Sequence, residues 1–327
     1  MDHLNPNKTV TIVMGIYNPD PVFFKKQLIS LNEQTYQNIK LIFLDDASSD
    51  FNAVRKAIEN TITRFTYRIH QNERNLGVNC TYEKLTSLCD TDYIAYCDQD
   101  DIWLNERIEK GVEKLKKANL VLTYSDLSII DQNDIKRHES FTHCRKRVVH
   151  RSGGNVWPFL VQRCSVTGCT ILMRTAIAKQ AIPFPDKRYT WDHWVSIIAA
   201  LNGVIGYDPE PLVRYRIHGG NQIGLQKLTG ILSKTDYIEK NLSRKADLYG
   251  LLIPRVHDAK IKAHLRRERE HVIQRMAFME NPSWKRYRAV LRLLFKDVLL
   301  FLFETAMVFD HKRGGSRVIR FVKRTKY

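Results

Sequence analysis

Three carboxylates follow an apolar run in the segment "YIAYCDQDDIW" (93–103). Asp98, Asp100 and Asp101 come directly after the run, which ends at Cys97. Residues two apart in an extended chain point to the same face, so Asp98 and Asp100 can bind one cation together. Mg²⁺ prefers oxygen ligands, and Mn²⁺ accepts similar ligands and also imidazole. The spacing indicates a metal site. The alternative is a turn followed by a helix cap, the role we expect for Asp101.

A fourth carboxylate, Asp192, lies between two tryptophans in "TWDHW" (190–194). One interpretation is an acidic residue in the first turn of a helix, where the helix dipole favours it. The other is a general base, because apolar neighbours raise the pKa of a carboxyl towards the working range. His193 competes for that role. The rings of Trp191 and Trp194 also suit the CH faces of a sugar.

Two further segments carry polar groups that can bind a ligand. "LDDAS" (44–48) either starts a helix or offers Asp46 to a base N–H or a ribose hydroxyl. "YRIHGGN" (215–221) contains His218, which is either a loop histidine or a ligand of a metal or phosphate.

Short apolar runs alternate with helix-like segments through the first two hundred residues. The runs predict strands at "TVTIVMGIYN" (9–18), "IKLIFLDDAS" (39–48), "FTYRIHQN" (65–72), "DYIAYCDQDD" (92–101) and "LVLTYSD" (120–126). This β-α-β rhythm predicts an α/β fold with a mostly parallel sheet covered on both faces. Ligands bind such sheets beyond the carboxyl ends of the strands, where "GIYN", "LDDAS" and "CDQDD" would meet.

Later segments continue the alternation. "VTGCTILMR" (166–174) predicts a strand, and 190–203 predicts a helix that ends at Gly203. Two more strands are predicted at 203–208 and 210–221.

Basic residues are concentrated in the last third of the chain. The whole chain has a net charge of +17, and residues 226–327 contain 24 Lys and Arg against 10 Asp and Glu, a net of +14. We therefore expect a catalytic domain over 1–225 and a basic helical region over 226–327 with an anionic partner.

The segment 284–309 is very apolar but carries Arg292, Lys296, Asp297 and Glu304, which make a spanning helix unfavourable. We expect a helix lying in an anionic membrane interface. Packing on the catalytic domain or in a homo-oligomer is the alternative.

The composition and the N-terminal sequence limit the class of protein and the kinds of site that we expect. Hydrophobic residues make up 43% of the chain, which supports a full core and argues against disorder. The six cysteines include no CxxC pair, which argues against a zinc or redox site. The N-terminus does not resemble a signal peptide, so we expect a cytoplasmic protein, peripheral on the cytoplasmic face of the inner membrane if the basic region docks there.

Taken in order, "YN", "DDAS", "NLGVNCTYEKL", "DQDDIW", "WDHW" and "EPLVRYRIHGGN" resemble the family 2 glycosyltransferases with the GT-A fold, and most closely a bacterial rhamnosyltransferase-like branch. The resemblance covers about residues 9–224. Many members have Glu or His where this chain has Trp191. By position, it implies a metal bound by Asp98, Asp100 and His218 and an acceptor-activating base at Asp192. The nucleotide-binding residues it implies are Tyr17, Asn18, Asp46, Asn79 and Asp98.

The resemblance also implies the reaction. A Mg²⁺- or Mn²⁺-dependent enzyme would move a sugar, with inversion, from a nucleoside-diphosphate sugar to a hydroxyl of a glycan or lipid-linked acceptor in bacterial cell-surface polysaccharide synthesis. The branch favours dTDP-rhamnose as donor. A nucleotidyltransferase of similar fold is the enzymatic alternative, although no glycine-rich phosphate loop follows the first strand. A nucleic-acid-binding protein using the basic tail is the other alternative, but the tail has no RNA-binding motif and leaves the acidic strand ends unexplained, so we expect no nucleic-acid partner.

Overall fold

The computed structural model describes residues 8–144, 148–186, 188–218, 230–291, 297–310 and 315–324. The chain divides into two compact units, Met1–Asn221 and Gln222–Tyr327. The boundary predicted after residue 225 lies outside the described residues.

The first half of unit one is a parallel sheet in the strand order β3-β2-β1-β4. Its strands are β1 (Val10–Ile16), β2 (Ile39–Asp45), β3 (Thr66–Gln71) and β4 (Tyr93–Cys97). Three helices connect them: α1 (Pro21–Asn32), α2 (Phe51–Thr61) and α3 (Val78–Leu88). Every residue of β4 is buried, which explains why its sequence is an unbroken apolar run.

Helix starts in this half are encoded locally. Asp20 caps α1 by accepting hydrogen bonds from the backbone N–H groups of Val22 and Phe23, and Pro21 occupies the first turn. Asp50 caps α2 in the same way through Ala53. Because β1 runs parallel to both β2 and β4, the polar residues after these three strands lie at one edge of the sheet.

The second half of the sheet is mixed rather than mostly parallel. Its strands are β5 (Ile102–Trp103), β6 (Leu122–Ile130), β7 (Lys136–His138), β8 (Leu172–Arg174) and β9 (Ile205–Arg216). β8 pairs antiparallel with both β4 and β6, whereas β9 runs parallel to β6. β5 pairs antiparallel with β9, and β7 pairs antiparallel with β6. Because β5 and β7 have two and three residues, they are too short for hydrophobic periodicity to reveal them. The strand predicted over 166–174 is present only at its end, as β8.

The helices of this half are α4 (Arg107–Lys117), α5 (Phe141–Cys144), α6 (Trp157–Gln162), α7 (Thr175–Lys179) and α8 (Trp191–Asn202). Helix α6 packs on α8, and the others contact strands of the sheet. A single 3₁₀ turn, Gly168–Thr170, precedes β8. The two strands predicted over 203–221 are one strand in the described residues, because β9 continues through Pro209 and Pro211 with register shifts against β6.

Unit two is helical. It contains α9 (Lys234–Tyr237), a π-helix (Ile238–Ser243), α10 (Arg244–Leu252), α11 (Ala259–Glu280), α12 (Trp284–Val290), α13 (Val298–Phe309) and α14 (Ser316–Arg324). Among the described residues no helix combines the length and apolar character needed to cross a membrane.

The continuous helix predicted over 284–309 is wrong. Asp297 caps α13 by accepting a hydrogen bond from the Leu300 backbone N–H, which starts a new helix there. Residues 292–296, with the predicted interface charges Arg292 and Lys296, lie outside the described residues. Glu304 is fully buried and accepts hydrogen bonds from Arg275 and Tyr237.

Candidate active site

Asp98 lies directly after β4, with its side chain half-buried. The Tyr82 hydroxyl lies 2.9 Å from Asp98 Oδ1 and 2.8 Å from the Cys97 carbonyl oxygen, and shares its one proton between them. Burial and the charges of Asp100 and Asp192 together raise the pKa of Asp98 to about 7, against the Tyr82 hydrogen bond, which lowers it. Asp98 therefore lies in the field of two other predicted site carboxylates.

Asp100 pairs with His218. Asp100 Oδ2 lies 2.8 Å from His218 Nε2, and both side chains are about one quarter exposed. The fully buried Arg216 donates from Nε to the Asp100 carbonyl oxygen at 2.8 Å, and its guanidinium lies over the Phe23 ring. The ends of β4 and β9 therefore meet here. Asp100 and His218 are in direct contact, Asp98 lies within the electrostatic reach of Asp100, and metal binding by the three stays a prediction.

Asp101 does not cap a helix, contrary to the sequence-based prediction. It is fully buried and accepts a hydrogen bond from the Arg216 backbone N–H at 3.0 Å, while α4 begins after Glu106. Burial and the charge of Asp100 raise the pKa of Asp101 well above its usual range. The segment after Asp101 forms β5, which pairs with β9, so Asp101 joins these two strands instead of starting the next helix.

Asp101 also belongs to a second potential metal cluster. Among the described residues, Asp98, Asp101 and Cys169 each have a ligand atom within 4.8 Å of the others. Burial raises the pKa of the Cys169 thiol well above its usual range, and both Asp101 and Cys169 are fully buried. A protonated, enclosed thiol is a poor ligand for a hard divalent cation. Asp98, Asp100 and His218 are partly exposed and suit Mg²⁺ or Mn²⁺ better.

Asp192 lies in the first turn of α8 and is 7% exposed. Its Oδ1 accepts a hydrogen bond from the His193 backbone N–H at 2.7 Å. The competing base, His193, has its Nε2 2.6 Å from the carbonyl oxygen of Leu160. That contact holds the imidazole against α6, which favours Asp192 of the two as the group that meets a substrate.

The tryptophans beside Asp192 pack inside the protein and do not offer faces to a sugar, contrary to the sequence-based interpretation. Trp191 is 6% exposed and Trp194 is 1% exposed. The Trp191 ring stacks on Tyr82, with centroids 4.1 Å apart, and lies 4.7 Å from Tyr96. Gly168 makes room for it, since a Cβ there would lie 2.4 Å from the ring.

Tyr17 and Asn18, after β1, are tied to the two neighbouring strand ends. The Gln99 side chain accepts from the Tyr17 backbone N–H at 2.9 Å and donates to its carbonyl oxygen at 3.2 Å. Asn18 Oδ1 accepts from the Ser49 backbone N–H, and the Asn18 backbone N–H donates to the Ser48 hydroxyl. The Tyr17 ring is about half exposed and is free to meet a flat partner.

Asp46 and Asn79 have their hydrogen-bonding groups engaged within the protein. Asp46 accepts from the backbone N–H groups of Leu76 and Gly77 and from Asn72, which shapes the loop before α3. The Asn79 amide donates to carbonyl oxygens of the 185–189 segment, at 2.7 Å to Tyr189. Both side chains thus hold loops at this edge, and their direct contact with a nucleotide stays a prediction.

Sequence reasoning missed Tyr82 and Gln99, and it identified Arg216 only as a polar residue of "YRIHGGN", without its partners. Gln99 lies inside "DQDD", where the neighbouring carboxylates are the stronger candidates for a functional site. Tyr82 and Arg216 contribute through contacts between distant strands and helices, for which the sequence contains no local pattern.

The sequence of this chain is similar to those of known glycosyltransferases. The sequence profile described as Glycosyl transferase family 2 matches residues 11–180. An uncharacterized glycosyltransferase from Rickettsia conorii is 26% identical over 256 residues, which cover 72% of this chain and 39% of that protein. This chain thus spans about two-fifths of that relative, and a similar share, 38%, of one from Rickettsia felis.

Two further proteins have more specific names. The Escherichia coli UDP-Glc:alpha-D-GlcNAc-diphosphoundecaprenol beta-1,3-glucosyltransferase WfgD is 28% identical over 195 residues, 59% of this chain and 71% of that one. The crystal structure of Staphylococcus aureus TarS 1–349 in complex with UDP-GlcNAc covers 96% of this chain, with 92% of its own chain aligned, a TM-score of 0.64 and 14% identity. The second likeness concerns the fold alone.

Proposed function

Because the chain belongs to glycosyl transferase family 2 and has the GT-A fold, we propose that it transfers a sugar, with inversion, from a nucleoside-diphosphate sugar to a hydroxyl of a glycan or lipid-linked acceptor in bacterial cell-surface polysaccharide synthesis. One observation carries the proposal: Asp98 lies at the carboxyl end of β4, inside the matched region, and close enough to Asp100 and Asp192 for their charges to raise its pKa. The same edge holds His218 against Asp100.

The donor would bind at the ends of β1, β2 and β4. Asp98, Asp100 and His218 would hold a Mg²⁺ or Mn²⁺ ion, because they offer partly exposed carboxylate oxygens and an imidazole to a hard cation. Such an ion supplies charge neutralisation at a departing diphosphate. The exposed Tyr17 ring would stack on the nucleotide base, while Asn18, Asp46 and Asn79 hold the surrounding loops.

The acceptor hydroxyl would lose its proton to Asp192. Oδ1 of this residue is engaged by the His193 backbone N–H, so we assign the proton to Oδ2. The near-complete burial of Asp192 limits the access of water to the carboxylate. The deprotonated oxygen then attacks the anomeric carbon from the face opposite the leaving diphosphate, and one displacement of this kind inverts the configuration.

The names of two similar proteins suggest which substrates to test. WfgD is named for UDP-Glc and a diphosphoundecaprenol acceptor, and TarS was crystallised with UDP-GlcNAc. The rhamnosyltransferase-like resemblance favours dTDP-rhamnose instead. A thermal-shift panel of dTDP-rhamnose, UDP-Glc and UDP-GlcNAc, each with and without Mn²⁺, would choose among them.

Substitution of the base tests the mechanism. Asp192→Asn keeps the shape and removes the proton acceptor, so we expect transfer to fall by roughly 10²–10⁴-fold while the donor Kd changes little. Asp258→Asn is the matched control, because Asp258 caps α11 in unit two and Asn is an equally good cap. Near-normal turnover by Asp192→Asn would contradict the assignment.

Alternative functions make different predictions. A nucleotidyltransferase would release pyrophosphate from a nucleoside triphosphate, and a nucleic-acid-binding protein would show salt-sensitive DNA binding without binding a sugar nucleotide. Family membership favours sugar transfer over both.

We also propose that unit two binds an anionic membrane surface. Exposed apolar side chains form one stripe along α13, which includes Val298, Leu299, Leu302 and Phe309. Residues 226–327 have a net charge of +14, so two copies of the unit repel each other while anionic lipid attracts it. The charge therefore favours lipid over a homo-oligomer as the partner of the stripe.

Vesicle sedimentation tests this partner. Leu299, which is 79% exposed, becomes charged in Leu299→Glu, and we expect binding to anionic vesicles to fall at least tenfold. Leu232→Glu is the matched control, since Leu232 is 69% exposed in the same unit but lies outside α13. Equal binding by the two variants would contradict the membrane proposal, and a concentration-dependent mass in light scattering would favour the oligomer.

A further inference from the structure

Tyr82 connects the two halves of the candidate active site. It lies in α3, is 3% exposed, and its hydroxyl lies 2.9 Å from Asp98 Oδ1. The aromatic ring of Tyr82 stacks on Trp191 with an interplanar angle of 23°. Trp191 directly precedes Asp192 in α8. One side chain therefore contacts both a predicted metal ligand and the residue next to the predicted base.

The position of Tyr82 is itself closely defined. Gly15 in β1 lies against α3, where a Cβ would be 3.0 Å from Thr81 Cγ2 and 3.7 Å from the Tyr82 ring. The Tyr82 ring also makes an edge contact with Tyr96, at a centroid distance of 6.0 Å. Since interiors are packed to crystal-like density, the ring has little room to rotate away from Asp98.

Trp191 is held from three sides. Tyr82 stacks on its face, Tyr96 is tilted against it, and Gly168 lies at its edge without a Cβ. These contacts fix the first turn of α8 and hence the direction in which Asp192 points.

From this geometry we infer that Tyr82 is a positioning residue for sugar transfer: its hydroxyl orients Asp98 for the cation, and its ring holds Trp191 so that Asp192 faces the acceptor. The inference rests on the proposed function and adds to it a residue that touches neither substrate. Groups that hydrogen-bond to metal ligands typically change metal affinity by about 10–100-fold when removed.

Two hydroxyl deletions separate positioning from general packing. Tyr82→Phe removes the hydroxyl at Asp98 and keeps the ring. Tyr96→Phe is the matched control, because the Tyr96 hydroxyl is also buried in this aromatic cluster but lies 2.9 Å from Thr86 Oγ1 and has no contact with Asp98 among the described residues.

The first measurement is Mn²⁺ binding by calorimetry, without substrates. We expect Tyr82→Phe to raise the Mn²⁺ Kd by about tenfold and Tyr96→Phe to leave it within about twofold. In transfer assays Tyr82→Phe should recover most of its kcat at saturating Mn²⁺. Tyr82→Leu, which also removes the stacked ring, should not recover, because Trp191 and Asp192 lose their support.

The outcomes are distinguishable. If wild-type protein transfers sugar and binds Mn²⁺ but the two Phe variants change the Kd equally, the positioning inference is wrong and the proposed function stands. An unchanged Kd in Tyr82→Phe would overturn the inference as well. Wild-type protein that binds no divalent cation would overturn both the metal site and the role of Tyr82. Thermal unfolding of each variant checks that any loss is not caused by misfolding.

Discussion

Gly168→Ala should disable the enzyme by displacing Trp191 and Asp192, although it removes no catalytic group. The added Cβ would lie 2.4 Å from Trp191 Cζ2 and 2.7 Å from Cη2. Ordinary contact begins at 3.4 Å, so the ring or the 3₁₀ turn must move by about 1 Å. Tyr82 and Tyr96 block the ring on its other sides, at centroid distances of 4.1 Å and 4.7 Å. The displacement must therefore pass into the first turn of α8.

Two effects follow from that displacement. Overpacking of a dense core costs about 1–3 kcal/mol, which we expect to lower the melting temperature by a few degrees. Asp192 lies against the same Cβ, at 3.3 Å from its own Cβ. A shift of about 1 Å in a reacting group costs on the order of 10²-fold in rate, so kcat should fall about a hundredfold. The donor Kd should change little, because Tyr17 and Asn18 are tied to Gln99, Ser48 and Ser49.

The assays are transfer kinetics, donor calorimetry and thermal unfolding on the same preparations. Gly154→Ala is the control, since its Cβ would meet one atom, Val204 Cγ2, at an ordinary 4.0 Å. Gly168→Ala with normal kcat would refute the reasoning, because it would show that Asp192 is not fixed through Trp191. A parallel loss in donor affinity would also refute it.

Two further predictions concern unit two. Glu304→Gln leaves the buried Arg275 guanidinium without its counter-charge, so we expect the free energy of unfolding to fall by about 3–5 kcal/mol in urea denaturation. If the unpaired charge is the cause, the double variant Arg275→Met/Glu304→Leu should recover most of that free energy. Lys245 is half-buried, and burial, with the charge of Arg275, lowers its pKa to about 8. The unfolded chain then binds more protons between about pH 8 and 10.4, so stability rises with pH across that window. Lys245→Met should remove that rise in stability and should stabilise the protein near pH 7.5. Urea denaturation at pH 7.5 and 9.5 measures both effects, and a variant with the wild-type pH dependence would contradict the assignment.

The parts of the fold that sequence predicts are those determined by long runs of residues. β1, β2 and β4 are buried along nearly their whole length, so their composition indicates both the strand and its polar end. β8 contributes only Leu172–Arg174, yet it is the strand that joins the two halves of the sheet. A pairing of this kind depends on contacts between distant segments and leaves no periodic signal in the chain.

The candidate site shows the same division. Asp98, Asp100, Asp192 and His218 were predicted from residue type and order, and the structure brings them to one edge. The helix-cap role of Asp101 was wrong because the preference of Asp for caps is local, whereas its actual partner is the backbone of Arg216, more than one hundred residues away. Asp46 and Asn79 hydrogen-bond to loops whose conformations depend on the completed fold, so the sequence could indicate their polarity but not their partners.

Charge balance at the site connects the cation to the donor. Asp98 and Asp101 both have raised pKa values, partly because neighbouring carboxylates repel each other's charges. Two buried guanidiniums, of Arg216 and Arg107, lie nearby, but both donate to backbone carbonyl oxygens, at Asp100 and at Cys169. Among the described residues, a nucleoside diphosphate approaching this edge would meet carboxylates of its own sign, and a cation bound between them would change that repulsion into attraction. We infer that donor and cation bind as a unit, and that a sugar nucleotide alone should stabilise the protein far less than the same nucleotide with Mn²⁺.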